Sequence, residues 1–298
     1  MYLSLLYFRM TYTPAPVEHD LAEHSNATAQ AFNLSAPFYD ADQAHNRVAR
    51  WSRARSLQVL DRAFAPGDRL LELGCGTGEE AIHLARRSIS VVATDAAPAM
   101  LDVLKAKLSH HEKSISEHIT PILISAGKIG SLVERFGKQS FDGVYSSFGP
   151  LNCEPDLAPI AGALADLVRP GGRVVLSLIN RYCLWETAWY LAAGQPRLAF
   201  RRWHGVSEAT VRAEWQHERV TIFYWTPGHF ERTFGLYFRT TRHMALPWLL
   251  PPQYLDGLVR NRPRLFKRMA RIDRRLSNRW PFYALGDHFL LEMVRTRA

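Results

Sequence analysis

Cysteine is scarce in this chain. Cys75, Cys153 and Cys183 are the only three among 298 residues, too few and too scattered for a disulfide framework or a tetrahedral zinc site. A reducing, cytoplasmic location and no metal site are therefore expected. No apolar run approaches the roughly 18 residues that a membrane-spanning helix needs. The apolar residues 1–8 have no basic residue ahead of them and no small-residue cleavage site, so no signal peptide is expected. Acidic residues run short in one region only. Residues 180–298 carry 20 Lys+Arg against 9 Asp+Glu, whereas residues 1–179 carry 17 against 19, so the net charge of +9 belongs to the C-terminal part. Internal repeats and a coiled-coil register are also missing. With 47% hydrophobic residues, the chain can bury a large core.

What is present begins with Arg69-Leu70-Leu71-Glu72-Leu73-Gly74-Cys75-Gly76-Thr77-Gly78-Glu79, an apolar strand running into a glycine-rich turn and a helix. Glycines there can take positive φ and let backbone amides approach a ligand. The spacing is Gly-x-Gly-x-Gly, closer than the dinucleotide fingerprint, and Glu72 sits inside the strand. A carboxylate at that point repels a pyrophosphate and attracts an ammonium or sulfonium group. Val91-Val92-Ala93-Thr94-Asp95 reads as a second buried strand ending in an acid, a position suited to holding ribose hydroxyls. Together these residues resemble motif I and the following ribose-binding acid of the class I S-adenosylmethionine-dependent methyltransferases.

That resemblance implies a fold: a Rossmann-like, mostly parallel seven-stranded sheet with helices on both faces and an antiparallel final strand. The coarse pattern agrees, because strands and helices alternate along residues 47–178. Phe141-Asp142 opens a strand resembling the family's motif IV, whose loop, residues 146–152, is expected to line the pocket, while Asp142 is expected to make a structural bond. Arg169-Pro170-Gly171-Gly172-Arg173 resembles the family's turn before strand five. One departure follows residues 119–125. Many relatives place an adenine-binding acid there, but this chain has Ala126-Gly127-Lys128. The organisation expected is an arm (residues 1–36), a cofactor-binding core (37–180), a substrate cap or insertion (181–286) and a terminal strand (287–298), the long C-terminal part exceeding ordinary loop lengths.

The resemblance further implies S-adenosylmethionine as cofactor, with S-adenosylhomocysteine as product. Its binding set is expected to be Glu72, Gly74, Cys75, Gly76, Thr77, Gly78, Asp95, Ala96, Gly127, Ser146, Ser147 and Phe148. Cys75 reads as a small side chain in a tight turn, not a nucleophile. Phe38-Tyr39-Asp40 resembles the segment that covers the active site in small-molecule members, so Tyr39 is a candidate for substrate contact or catalysis; an aromatic anchor for the arm is the other reading. Asn152 is a candidate substrate contact. His288 and His229 are candidate general bases, with a structural role as the alternative for each.

The acceptor is expected to be a small, possibly lipid-like molecule offering an O, N or C nucleophile. The base-clamping Asn/Asp-Pro-Pro-Tyr/Phe of amino-methylating nucleic-acid enzymes is replaced by Ser146-Ser147-Phe148-Gly149, and no Pro-Cys dipeptide is present. An RNA or tRNA substrate held by the basic C-terminal third is the alternative, as is a cofactor-binding docking module without turnover. An NAD-dependent oxidoreductase is disfavoured by Glu72. Residues 263–279 read as a basic amphipathic helix, with Leu265, Met269, Ile272 and Leu276 on one face. Packing of that stripe on the domain, contact with an anionic membrane surface and the grip of an acidic partner are the readings.

Overall fold

The computed structural model describes residues 21–213 and 216–296. The apolar residues 1–8 and the rest of the arm up to residue 20 lie outside the described residues. Five parallel strands form the body of the main sheet: β1 (Arg69–Leu73), β2 (Ser90–Asp95), β3 (Ile119–Leu123), β4 (Phe141–Ser146) and β5 (Val168–Ile179). A hairpin of β6 (Val206–Ala213) and β7 (Gln216–Phe223) stands apart from it. β8 (Phe238–Ala245) and β9 (His288–Arg295) then complete a seven-stranded sheet of order β3-β2-β1-β4-β5-β9-β8, with β9 antiparallel to both neighbours. This is the Rossmann-like fold expected from the alternation of strands and helices. The edge strand β8 comes from within residues 181–286, so the expected insertion also supplies part of the sheet.

Both faces are covered. Helices α1 (Leu21–His45), α2 (Arg47–Ala63), α3 (Glu79–Ala85) and α4 (Pro98–Ser109) precede β3, and α5 (Ala158–Leu167), α6 (Leu184–Ala192), α7 (Pro227–Phe234) and α8 (Pro263–Leu276) follow β4. Leu71 and Leu73 point to the face packed by α5 and α7, and Leu70 to the face packed by α2, α3 and α4. By the same alternation Glu72 shares the face of Leu70, directed at α2 and α3. No helix among the described residues is long and apolar enough to cross a membrane.

Helix α1 runs through the expected boundary at residue 36 and contains Pro37. Its buried positions are small, Ala31 and Ala36, and Ala31 packs against Ala209, Val211, Val220 and Ile222 of the β6–β7 hairpin. Asn152 fastens that hairpin to the sheet, donating to the carbonyls of Ile179 (3.0 Å) and Phe223 (2.6 Å) and accepting from the Ile179 N–H (2.7 Å).

Helix α8 is held by an acid. The carboxylate of Asp273, fully buried, accepts backbone N–H groups of Trp248 (3.3 Å), Leu249 (2.9 Å) and Leu250 (2.9 Å). Burial, opposed by those three bonds, raises its pKa to about 6. A folded pKa above the unfolded value of about 3.9 means that the native state binds more protons between the two, so this group's contribution to stability falls as pH rises from about 4 through about 6. Urea titrations across that window are expected to show wild type losing ground to an Asp273→Asn variant as pH rises. A pH-independent difference between the two would contradict this assignment.

Candidate active site

The turn after β1 is built by its glycines and by Asp95. Gly74, Gly76 and Gly78 have φ of +68°, +52° and +81°. A Cβ on Gly74 would lie 2.3 Å from Pro150 Cβ and one on Gly78 2.2 Å from Leu104 Cδ1, whereas one on Gly76 would meet nothing within 4 Å. Gly76 therefore faces open space, and the other two glycines serve close packing. Cys75 N–H donates to the Thr94 carbonyl (2.8 Å) and Gly76 N–H to Asp95 Oδ2 (2.8 Å), while Asp95 Oδ1 accepts from Ala97 N–H (2.8 Å). Each Asp95 oxygen has a second lone pair for a ligand hydroxyl. Ala96, half-exposed, follows Asp95. Cys75 is buried, and burial pushes its thiol pKa well up, which suits the inert role expected of it.

Glu72 is 1% exposed, and its Oε2 has no hydrogen-bond partner. Burial first, then the neighbouring Glu80 carboxylate, holds it well above the usual carboxylate range, with Arg53 opposing. Arg53 on α2 reaches Glu80 Oε1 (Nε 3.5 Å) and lies over the Phe148 ring, 5.9 Å from its centroid. Glu72, Glu79 and Glu80 thus gather with Arg53 around a cleft lined also by Tyr39, Thr77, Ser147 and Phe148, and Asp95 stands behind its glycine turn through the Gly76 N–H. Such a cleft favours a ligand with cationic character at its acidic end. An orphaned carboxylate oxygen beside an unfilled glycine position fits the sulfonium and ammonium groups of S-adenosylmethionine.

Helix α1 covers this cleft. Thr77 Oγ1 donates to Asp40 Oδ1 (2.6 Å), and Lys107 Nζ bridges Asp40 Oδ2 and Glu79 Oε1 at 2.6 Å each. The remaining cavity measures about 30 Å³, the share of a single water in the liquid. A nucleoside-sized ligand needs α1 to lift. Tyr39 lines the cleft, and burial raises its pKa, so at neutral pH its hydroxyl donates rather than acting as a base. A larger hollow of about 480 Å³ opens at the opposite, amino-terminal edge of the strands, but its acids are already committed. Asp61 pairs with His83 and Arg87, and Asp142 with Arg169 and the Arg69 N–H, which is the structural bond expected of Asp142.

The remaining candidates divide. Phe148 adopts φ +61°, unusual for a bulky residue, with its N–H on Ser177 Oγ (2.8 Å) and its ring edge-on to His288 at 6.1 Å. His288 starts β9 opposite Ile179, at the carboxyl edge of the parallel strands, with Nδ1 3.2 Å from Asp287 Oδ2. Against the penalty of burial, Arg202 and His288 hold Asp287 well below the usual carboxylate range. Arg202 contacts Asp287 Oδ1 (2.8 Å) and Glu186 Oε2 (2.7 Å), and Arg201 grips Glu186 through both oxygens at 2.8 Å. The buried network thus orients the imidazole. Ser147 Oγ is 3.4 Å from Ser56 Oγ.

Four candidates depart from expectation. The Ser146 hydroxyl is spent on the Leu73 carbonyl (2.8 Å), tying β4 to β1. Asn152, expected on substrate, has its amide donors and acceptor engaged by Ile179 and Phe223. His229 is exposed and stacks on Trp225, 4.9 Å between centroids; neither it nor His288 is among the residues lining the cleft, but His288 lies edge-on to the lining residue Phe148. Gly127 donates its N–H to Glu154 Oε1 (3.0 Å), so an acid from another segment stands where the sequence has none after β3. Sequence reasoning also missed Arg53 and Glu80, which carry no local signal and reach the cleft through packing of α2 on α3.

Comparison with known proteins agrees with this geometry. The sequence profile of the family described as "Methyltransferase domain" matches residues 70–172. Residues 70–172 of this chain thus form a methyltransferase domain. Besides this domain match, a ubiquinone biosynthesis O-methyltransferase of Xanthomonas campestris is 31% identical over 150 residues, 50% of this chain and 58% of its own length. The chain thus spans little more than half the length of such curated relatives. A 1,6-didemethyltoxoflavin-N1-methyltransferase of Burkholderia thailandensis, solved with its substrate and S-adenosylhomocysteine, superposes with a TM-score of 0.56 at 13% identity, covering 97% of this chain and 95% of that one. The cyclase SpnF superposes at 0.59 with 12% identity, covering 97% and 100%. These likenesses extend the fold beyond the methyltransferase domain to nearly the whole chain. They carry no chemistry, since the same fold bears a cyclase.

Proposed function

We propose that the protein transfers a methyl group from S-adenosylmethionine to a hydroxyl oxygen of a small, lipid-like organic molecule. The observation that carries the reading is the buried Glu72 carboxylate, whose Oε2 has no hydrogen-bond partner, set with Glu80 beside the open face of Gly76. Asp95 would take the ribose hydroxyls, Glu72 and Glu80 the positive end of the methionine part, and Arg53 its carboxylate. The bound cofactor supplies a methyl carbon already activated by the sulfonium. The chain's own task is alignment, with attacking oxygen and carbon about 3–3.5 Å apart and water kept out by α1. Tyr39 donates a hydrogen bond at the rim. His288, its Nδ1 turned to Asp287, accepts the acceptor's proton at Nε2. Resemblance to O-methyltransferases over half the chain supports oxygen as the acceptor atom.

The test has two stages. S-adenosylhomocysteine at about 100 times its dissociation constant is expected to stabilise the fold by about 2.7 kcal/mol, a thermal shift of several degrees, while NAD gives none. Turnover is then followed with hydroxylated aromatic lipids against bulk tRNA as acceptors. A shift with NAD alone overturns the cofactor assignment, and methylation confined to tRNA overturns the acceptor class.

A further inference from the structure

Helix α8 meets the domain with a different face from the one its apolar spacing suggests. Phe266, Met269, Ala270 and Asp273 turn inward, packed with Val48, Leu250 and Val259. Leu265 and Ile272, two turns apart, are left 40% and 43% exposed. Around them Arg264, Lys267, Arg268, Arg271, Arg274 and Arg275 are all exposed. Among the described residues none of these six cations forms an ion pair. Just beyond the helix, Arg279 is exposed and Trp280 is 76% exposed.

From this surface we infer that α8 and Trp280 dock the protein on an anionic lipid bilayer. The cations match the negative headgroup layer, and the two aliphatic side chains stand among them where they can enter the headgroup and acyl boundary. Trp280 adds an indole, the side chain best suited to that depth. A polyanion such as RNA accounts for the cations alone, because phosphate contacts need no exposed leucine, isoleucine and tryptophan interleaved with them. The docking segment is also close in sequence to the candidate base. Eight residues lead from Trp280 to His288, by way of the 3-10 turn Phe282–Ala284 and the buried Asp287. A lipid-like acceptor would thus be taken up beside the surface that holds it. The inference concerns the partner of the proposed enzyme but does not need the methyl donor, so the two readings fail separately.

The experiment is vesicle co-sedimentation of the full chain without cofactor. Vesicles of phosphatidylcholine alone are compared with vesicles containing about one-third phosphatidylglycerol, at roughly 0.1 M salt. Binding to the anionic vesicles is expected to be at least about tenfold tighter. A Leu265→Ser/Ile272→Ser/Trp280→Ser variant keeps every charge, and a melting curve taken alongside checks that it folds. It is expected to lose about tenfold or more in vesicle affinity. Arg268→Glu/Arg271→Glu is expected to abolish the preference for anionic lipid. Equal binding to both vesicle types overturns the inference, as does unchanged binding by the serine variant. Salt-sensitive binding to a single-stranded RNA that exceeds vesicle binding and survives the serine substitutions overturns it in favour of nucleic acid. A wild-type dimer dissociated by those substitutions overturns it in favour of a second copy of the chain.

Discussion

A Gly76→Val variant is expected to fold and to lose S-adenosylhomocysteine binding by at least about a hundredfold, close to 2.7 kcal/mol. Valine at φ +52° is strained by roughly 1–2 kcal/mol, a cost that a domain of ordinary stability survives. Its Cβ meets no protein atom within 4 Å, so the added bulk falls into the space assigned to the cofactor. The neighbouring glycines cannot serve as probes. Alanine at Gly74 or Gly78 drives a Cβ to 2.3 Å from Pro150 or 2.2 Å from Leu104, and the loss of binding that follows is indistinguishable from loss of packing. Titration calorimetry alongside a urea melt checks the prediction. Undiminished affinity in a folded Gly76→Val protein would remove the cofactor from this turn.

His288→Gln is expected to lower kcat by about 10²–10⁴ while leaving S-adenosylhomocysteine affinity unchanged, the usual size of a general base contribution. The loss comes with a signature that a structural role lacks: the pH profile of kcat changes shape in the variant. Asp287 is a poorer residue to change. Removing its charge strands Arg202 in the interior, with Arg201 already drawing on Glu186, and breaking such a buried pair costs roughly 3–5 kcal/mol of stability. A His288→Gln enzyme with a rate within about threefold of wild type and the same pH profile would take proton transfer away from this residue.

The parts legible in the sequence are those fixed by neighbours along the chain. Leu70 to Leu73, the glycines after them and the acid closing Val91 to Asp95 are set by strand alternation and turn sterics, so the cofactor edge followed from spacing, while the seven-stranded sheet followed from the family resemblance. The β6–β7 hairpin was only half visible. Val220 to Trp225 reads as a strand, running two residues past the observed end at Phe223, but the inward residues of β6 are Ser207, Ala209 and Val211, too small and too mixed to show a buried face. Helix α1 escaped for a similar reason, since Ala31 and Ala36 make its contacts and no apolar stripe marks it. The helix at residues 263–276 was foreseen, but its orientation was not. Periodicity grouped Leu265 and Ile272 with Met269 and Leu276 in one apolar stripe, whereas the bonds of Asp273 to residues 248–250 turn the helix so that an acid points inward and Leu265 and Ile272 stay exposed. In the site, Arg53, Glu80 and Asp287 depend on contacts between distant segments, which no local pattern records.

Asn152 gives the covering helix a mechanical meaning. On its inner side α1 is pinned to the glycine turn through Asp40 and Thr77, and on its outer side it carries the β6–β7 hairpin. The hairpin in turn is joined to the sheet where the Asn152 amide links Phe223 to Ile179 and where the Arg181 N–H donates to the Trp225 carbonyl (2.9 Å). A cofactor entering under α1 is therefore expected to shift the helix and the hairpin it carries as one piece.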